Sequence, residues 1–252
     1  MMQRVLKPLV LITLLLFFGC AKTPITKRSQ LILVSNQNEI AMGISEAEKI
    51  KKSSKLSSDR QLVAKIRQIG TKLAKVSGRD DYKWEFNVIE SKQVNAFCLP
   101  GGKVFFYTGI LAMMDNDDQI AAVMGHEIAH ALARHGAERM SIQMLSQAGG
   151  QILGAVLEVP QQYRGLYEQA YGIGSNVAVM LPYSRSHEHE ADQIGVYLMW
   201  KAGYDPHEAV VFWEKMKVAS QGKSVPEFLS THPSDQSRID AINAFIKTLP
   251  KS

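Results

Sequence analysis

The segment His126-Glu127-x-x-His130 contains the residue types of a metal-dependent hydrolase. His126 and His130 are four residues apart, so on a helix their rings share one face and lie one turn apart. That spacing allows both imidazole rings to bind one Zn²⁺ ion. Glu127 stands beside the first ligand and can reach water at the metal rather than the metal itself. We therefore predict a zinc site in which Glu127 acts as the general base.

The residues around this motif predict a buried helix. From Ile120 to Ala133 the sequence is nearly apolar on every face, which is typical of a helix inside a protein core. Burying a carboxylate and two imidazoles without partners is costly, and a bound cation offsets that cost. The alternative interpretation is a pair of core histidines beside a surface glutamate.

A second polar cluster, residues 186–192, provides candidates for a third ligand, because catalytic zinc usually has three protein ligands. Glu188 and Asp192 are four residues apart and share a helix face. One of them can bind the metal while the other hydrogen-bonds a ligand imidazole. His187, His189 and Glu190 compete as ligands on residue type, and spacing does not choose among them.

The elements that position these residues follow from hydrophobic periodicity. Apolar residues from Leu62 to Val76 recur at helical spacing and stop before Gly78. Residues 84–88 alternate as in a half-buried strand, residues 100–102 form a turn, and Val104–Tyr107 is a second strand. We predict an α+β fold, mostly helical, with one small β-hairpin or sheet beside the motif helix.

The remaining helices are predicted from their boundary residues. The motif helix begins near Asp115–Asp118 and runs to about His135, with Gly136 after it. A further helix covers Glu188–Lys201. Residues 149–183 are rich in glycine and fit either loosely packed helices or a mobile flap. Met140 and Met144 are predicted to be core residues.

Several motifs together resemble the CAAX prenyl endopeptidase family of zinc metallopeptidases, in its soluble bacterial branch of periplasmic and lipoprotein proteases. The resemblance spans residues 31–252, predicted to be a single metallopeptidase domain, and implies a zincin-like fold of the gluzincin type without a tetratricopeptide domain. It also implies that Glu188 is the third ligand and that Asp192 supports the site. The motifs are Asn95-Ala96-Phe97, Pro100-Gly101-Gly102, Tyr107-Thr108-Gly109, His126–His130, Ser184-Arg185 and Glu188-His189-Glu190-Ala191-Asp192.

His232, in Thr231-His232-Pro233, resembles a histidine near the metal in that family. It could stabilise the oxyanion that forms during peptide hydrolysis, or it could bind the metal as a fourth ligand and keep the enzyme latent. The strand Lys103–Tyr107 could pair with an extended substrate by strand addition. That mode of binding favours unfolded or misassembled protein chains as substrates.

The first twenty residues are predicted to be a targeting segment. Arg4 and Lys7 precede the run Leu9–Phe18, which has the length of a signal-peptide core. Residues 1–19 are therefore predicted to be a signal peptide, Cys20 the site of acylation, and residues 20–30 a lipidated tether. An ordinary cleaved signal with an incidental cysteine is the alternative. Ala21 after the cysteine resembles lipoproteins sent to the outer membrane, so we expect a periplasm-facing anchor there.

The composition excludes several classes of protein. The chain has 252 residues, 46% hydrophobic and 21% charged, which excludes collagen-like, coiled-coil and disordered chains. The net charge of +5 is mild and mostly scattered, so no nucleic-acid partner is predicted. Cys98 remains as a thiol that we expect to be buried and unpaired.

The predicted function is that of a lipid-anchored zinc endopeptidase that cleaves unfolded or misassembled envelope proteins, with outer-membrane assembly machinery as a partner. One alternative is an outer-membrane protein assembly chaperone or binding module with a latent zinc site. A closed four-ligand site would support this alternative. Another rival is a metal-dependent amidase that acts on cell-wall peptides.

Overall fold

The computed structural model describes residues 20–157, 159–175, 181–222 and 225–250. The predicted signal peptide, residues 1–19, lies outside the described residues. The chain divides into two compact units. The larger unit comprises Asn36–Ala133 and His187–Ser252, and the smaller unit comprises Met1–Ser35 and Arg134–Ser186. Every metal or catalytic candidate lies in the larger unit, whereas Cys20 belongs to the smaller one.

Helices account for most of the larger unit, and the prediction of a mostly helical α+β chain is confirmed. Asp59 caps the helix Arg60–Val76 by accepting hydrogen bonds from the N–H groups of Gln61 and Leu62, each at 3.0 Å. The predicted helix ending near Val76 is also confirmed, and Gly78 follows it with a φ of 70°. The helices are α1 Asn36–Ser53, α2 Arg60–Val76, α3 Thr108–Leu111, α4 Asp117–Leu132, α7 Leu181–Ala202, α8 His207–Ser220, α9 Phe228–Thr231 and α10 Gln236–Ile246.

The sheet of the larger unit has three strands, β3 Glu85–Ile89, β4 Ala96–Leu99 and β5 Lys103–Tyr107. Both predicted strands are present, but β4 was missed, and β3 runs parallel to β5. The hairpin is formed by β4 and β5, which are antiparallel. The strand order is β3-β5-β4. The suggestion that Lys103–Tyr107 pairs with substrate is therefore wrong, because β5 is hydrogen-bonded to a strand on each side.

The motif helix α4 packs against α2, β4 and α8. Its predicted end near His135 and Gly136 is wrong by three residues, since α4 stops at Leu132. Arg134 adopts the left-handed conformation, with φ 57° and ψ 35°, and His135 begins the next helix. Glycine is the residue usually found in this conformation, and for that reason Gly136 was predicted to follow the end of the motif helix. Gly136 instead lies in the first turn of the next helix.

The smaller unit contains a two-stranded ribbon and two long helices. In the ribbon, β1 Cys20–Lys22 pairs with β2 Ser29–Leu31 in antiparallel register. Helix α5 spans His135–Val156 and α6 spans Arg164–Ser175, with a short 3₁₀ turn at Gln161–Tyr163 before α6. The described part of the glycine-rich segment is thus largely helical. None of the described helices combines the length and apolar character needed to cross a membrane.

Candidate metal centre

Helix α4 places its two histidines on one buried face. Asn116 caps the helix by accepting a hydrogen bond from the N–H of Gln119 at 2.9 Å. The Nε2 atoms of His126 and His130 are 3.1 Å apart. His126 is 2% exposed and Glu127 3% exposed. The surrounding helix is buried almost all round, as its apolar sequence indicated.

Two other elements bring Glu188 and His232 to this face. Glu188, on α7, has carboxylate oxygens 3.3 Å from the Nε2 atoms of both His126 and His130. His232 follows α9, and its Nδ1 lies 3.2 Å from His126 Nε2 and 3.0 Å from a Glu188 oxygen. One ligand atom from each of the four residues lies within 4.8 Å of the others. This arrangement brings the three predicted ligands together with His232.

The other candidates of the 186–192 cluster do not join this group. His189 points its Nε2 toward Ser237 Oγ, at 3.4 Å. His187 and Glu190 are buried, but neither belongs to the metal-binding group found among the described residues. The geometry therefore selects Glu188, which spacing alone did not.

The chemistry of this donor set fits a zinc ion. Three imidazoles and a carboxylate are ligands that Zn²⁺ prefers, and four of them match its usual coordination number. Asp192 Oδ1 lies 2.9 Å from His126 Nδ1, close but not well aligned for a hydrogen bond. A proton held on that nitrogen leaves the lone pair of Nε2 directed at the cluster.

Glu127 lies beside this group in a position suited to proton transfer. Its Oε1 is buried without a hydrogen-bond partner among the described residues and is 3.5 Å from His232 Nε2. Burial raises the pKa of the Glu127 carboxyl, and the neighbouring histidines partly offset that rise. A buried carboxylate with a raised pKa and one open oxygen is suited to accept a proton and later release it.

Arg238, on α10, is a functional residue that the sequence analysis missed. Its guanidinium donates two hydrogen bonds of 2.7 Å to the Asp192 carboxylate. Its Nη1 lies 3.2 Å from Glu188 Oε2. Arg238 thus places its positive charge between the carboxylates of Glu188 and Asp192. It was missed because an isolated arginine in a terminal helix resembles a surface residue.

Aromatic rings form one wall of the centre. Trp213, on α8, lies edge-on to His126 with ring centres 5.3 Å apart. Its ring also carries the Arg238 guanidinium at 3.7 Å and stacks on Phe228. Phe228 in turn stacks on the His232 ring at 4.6 Å. These ring contacts hold His232 and Arg238 in place at the centre.

The edge strand β4 packs on the motif helix α4. Cys98 of β4 is a free thiol, as predicted, but it is half-buried rather than fully buried. Burial raises the pKa of this thiol, and the Glu127 charge raises it further. Cys98 therefore stays protonated and is a poor nucleophile.

Comparison with known proteins places these features in a family. Residues 60–246 match the model of Peptidase family M48. The mitochondrial metalloendopeptidase OMA1 of Schizosaccharomyces pombe is 39% identical over 183 residues, covering 72% of this chain and 52% of the relative. The Saccharomyces cerevisiae protein of the same name is 34% identical over 268 residues, covering 94% and 74%.

A bacterial relative is also similar. The beta-barrel assembly-enhancing protease of Escherichia coli is 30% identical over 210 residues, covering 81% of this chain and 43% of the relative. The chain thus spans about half the length of two of these three relatives and about three quarters of the other.

Proposed function

The chain belongs to peptidase family M48, and on that premise we propose that it is an endopeptidase that hydrolyses peptide bonds in protein substrates. Zn²⁺ is its cofactor, since the family is zinc-dependent and the four-residue group offers zinc ligands. The observation that carries the proposal is the buried Glu127 carboxylate beside that group. One of its oxygens has no hydrogen-bond partner among the described residues. The finer assignment, to a gluzincin-type fold and the soluble branch of the CAAX prenyl endopeptidase-like proteins, belongs to the same proposal, as does a single metallopeptidase domain over residues 31–252.

Each residue of the centre has a distinct task in this proposal. His126, His130 and Glu188 hold the ion, which when bound polarises a peptide carbonyl and acidifies water. Glu127 accepts a proton from water and delivers it to the leaving amine. Asp192 keeps His126 oriented, and it is itself held by Arg238.

The edge of the sheet suggests the form of the substrate. Among the described strands, β4 pairs with β5 alone, so its other side is the edge nearest to α4. An extended peptide can add to such an edge through backbone hydrogen bonds. Only a chain that is locally unfolded presents such a segment. This supports unfolded or misassembled chains as substrates, with β4 replacing β5 as the docking strand. That these substrates are envelope proteins follows from the location proposed below.

The decisive experiment replaces the proposed base. We expect Glu127→Gln to retain stoichiometric zinc and to lower cleavage of denatured casein by at least roughly 10²–10⁴-fold, the usual contribution of a general base. Activity of the unaltered chain should disappear with a chelator and return with Zn²⁺. Glu190→Gln, a buried glutamate on α7 outside the metal group, is the matched control. Full activity in Glu127→Gln would refute the assignment.

The ligand assignment has its own test on α7. We expect Glu188→Gln to lose zinc during dialysis, because the amide offers the metal a much weaker ligand than the carboxylate does. Glu190→Gln should keep the metal. Metal analysis of the two folded variants distinguishes them, and the reverse pattern would transfer the third-ligand role to Glu190.

His232 favours a second candidate function, an assembly chaperone with a latent zinc site. Its Nδ1 lies close enough to His126 and Glu188 to complete a four-ligand site, and structural zinc sites are closed in this way. If His232 is a latch, His232→Ala should cleave casein faster. If it is an oxyanion donor, cleavage should fall roughly 10²–10³-fold. A chaperone would prevent aggregation of denatured protein, and neither the unaltered chain nor His232→Ala would cleave casein.

Membrane anchoring is the part of the proposal that concerns location. The run Leu9–Phe18 followed by Cys20 supports acylation at Cys20 and a periplasm-facing place on the outer membrane. The name of the Escherichia coli relative refers to beta-barrel assembly, which supports contact with outer-membrane assembly machinery. Labelling with radioactive palmitate should be lost in Cys20→Ala. Labelling that persists would exclude this anchor.

A further inference from the structure

Helix α5 of the smaller unit exposes a row of apolar side chains. The exposed fractions are 53% for Met144, 40% for Leu145, 49% for Ile152 and 72% for Val156. At about 100° per residue, these side chains and the exposed Ala148 fall within one third of the helix circumference. We call these five residues the α5 stripe. The predicted core position of Met144 is therefore wrong.

The opposite face of α5 is fixed by close packing on α6. A side chain at Gly150 would meet the Tyr171 ring at 2.8 Å, and one at Gly154 would meet the Tyr167 ring at 2.9 Å. The Tyr167 hydroxyl also donates a hydrogen bond of 3.0 Å to the Gly150 carbonyl. Because the glycines face α6, the α5 stripe is turned away from α6.

The chain that follows the N-terminal apolar run covers the first turn of the same row. Ser141, one turn before Leu145, is fully buried and accepts a hydrogen bond of 2.8 Å from the Leu33 N–H. Nearby, Arg28 donates two hydrogen bonds, of 2.9 and 2.6 Å, to the buried Glu138 carboxylate. The segment that leaves the proposed anchor therefore lies along the row whose continuation is the exposed stripe.

The charge of the smaller unit indicates which kind of surface the α5 stripe binds. Residues 20–35 and 134–186 contain seven Lys or Arg and three Asp or Glu. No charged residue occurs between Arg139 and Glu158. An apolar helical face on a unit with an excess of basic residues fits a helix that lies in the plane of an anionic membrane interface.

We propose that the α5 stripe docks on the surface of an anionic phospholipid bilayer, as a second membrane contact besides the N-terminal anchor. The inference rests on the membrane location given under the proposed function, and it is independent of peptide hydrolysis. The stripe lies shallowly among the headgroups and upper acyl chains. It fixes which face of the smaller unit meets the membrane, whereas a lipidated cysteine alone, at the start of β1, would leave the orientation of that unit free.

The test places a reporter on each side of α5 in the full-length chain. The three native tryptophans lie in the larger unit, at positions 84, 200 and 213. Full-length Ile152→Trp and Gln147→Trp each add a fourth, the first on the stripe and the second about 140° from Ile152 around the helix. Each protein is mixed with phosphatidylglycerol-containing vesicles whose acyl chains carry bromine near the headgroup. Quenching is measured after subtracting that of the unsubstituted chain, and flotation reports vesicle binding.

We expect the Ile152→Trp reporter to be quenched about twofold or more above the Gln147→Trp reporter. A chain that floats with vesicles while neither reporter is quenched overturns the proposal and leaves the anchor intact. Equal quenching of both reporters overturns a one-sided contact, and absence of flotation overturns docking and anchor together. A blue-shifted Ile152→Trp reporter in vesicle-free solution, growing with concentration, would assign the stripe to a second copy instead. Casein cleavage by the same samples reports separately on the protease.

Discussion

Helices α4 and α5 follow one another in the sequence, and both are rich in apolar residues, yet they differ in what covers them. Helix α4 buries nearly every side chain from Gln119 to Leu132, including His126 and Glu127. Helix α5 buries Gly150 and Gly154 and exposes the α5 stripe. The two helices belong to different compact units. Apolar composition alone therefore does not decide whether a helix is enclosed by protein.

The informative signal in α4 is its polar minority. His126 and Glu127 can be buried only if other groups compensate them, and the structure supplies Asp192, Glu188 and Arg238 for that purpose. The α5 stripe contains no residue that requires a partner inside the protein. Its sequence therefore fits a protein core and a lipid surface equally well.

The largest expected effect removes the charge that compensates the α4 site. Arg238→Leu leaves the buried Asp192 carboxylate without its bidentate partner and Glu188 without a neighbouring cation. We expect the free energy of unfolding to fall by about 3–5 kcal/mol, the usual cost of breaking a buried ion pair. Urea unfolding of the larger unit, followed by tryptophan fluorescence, measures it.

The control for this variant is Arg67→Leu, at an exposed position on α2. It should change the free energy of unfolding by less than about 0.5 kcal/mol, as surface substitutions usually do. If both variants unfold alike, Arg238 does not hold the metal-binding group together.

Sequence reading predicted the centre better than it predicted the sheet. The pair His126 and His130 and the pair Glu188 and Asp192 are each set by one helical turn, so local spacing was sufficient to propose them. Arg238 was not predictable, because its role depends on α10 packing against α8 and reaching α7. Contacts of this kind are long-range and leave no periodic pattern.

The errors in the fold have the same physical origin. Strand β4 is short and its residues do not alternate strictly, and its pairing with β5 is determined by the turn at residues 100–102. The end of α4 was misplaced because Arg134 adopts a conformation that glycine usually takes. Exposure of Met144 was missed because nothing in the sequence shows which apolar face lacks a partner.

A matched pair of isoleucines tests the difference between the two helices directly. Ile128 on α4 is fully buried, whereas Ile152 on α5 is 49% exposed. We expect Ile128→Ala to cost about 2–5 kcal/mol by leaving a cavity. Ile152→Ala should cost less than about 0.5 kcal/mol in water. Hydrogen exchange of peptides from each helix measures the local free energy of opening.

Adding vesicles should change the rate of hydrogen exchange in α5 and not in α4. Anionic bilayers are expected to slow exchange in α5 of the unsubstituted chain and to slow it less in Ile152→Ala, while α4 is unaffected. A large loss of stability in Ile152→Ala without lipid would show that protein covers the stripe after all. The contrast between the two helices would then be lost.

The smallest expected effect concerns the two glycines that test the orientation of α5. Gly136 has open space around it, so Gly136→Ala should stabilise the helix by about 0.5–1 kcal/mol through the lower entropy of its unfolded chain. Gly150→Ala gains the same term, but its new methyl group meets the Tyr171 ring at 2.8 Å. We expect that clash to reverse the sign, with a net loss of about 1 kcal/mol. Hydrogen exchange of α5 peptides measures both. Equal stabilisation by the two substitutions would mean that α6 does not fix the rotation of α5, and the stripe would then have no defined direction in which to meet a membrane.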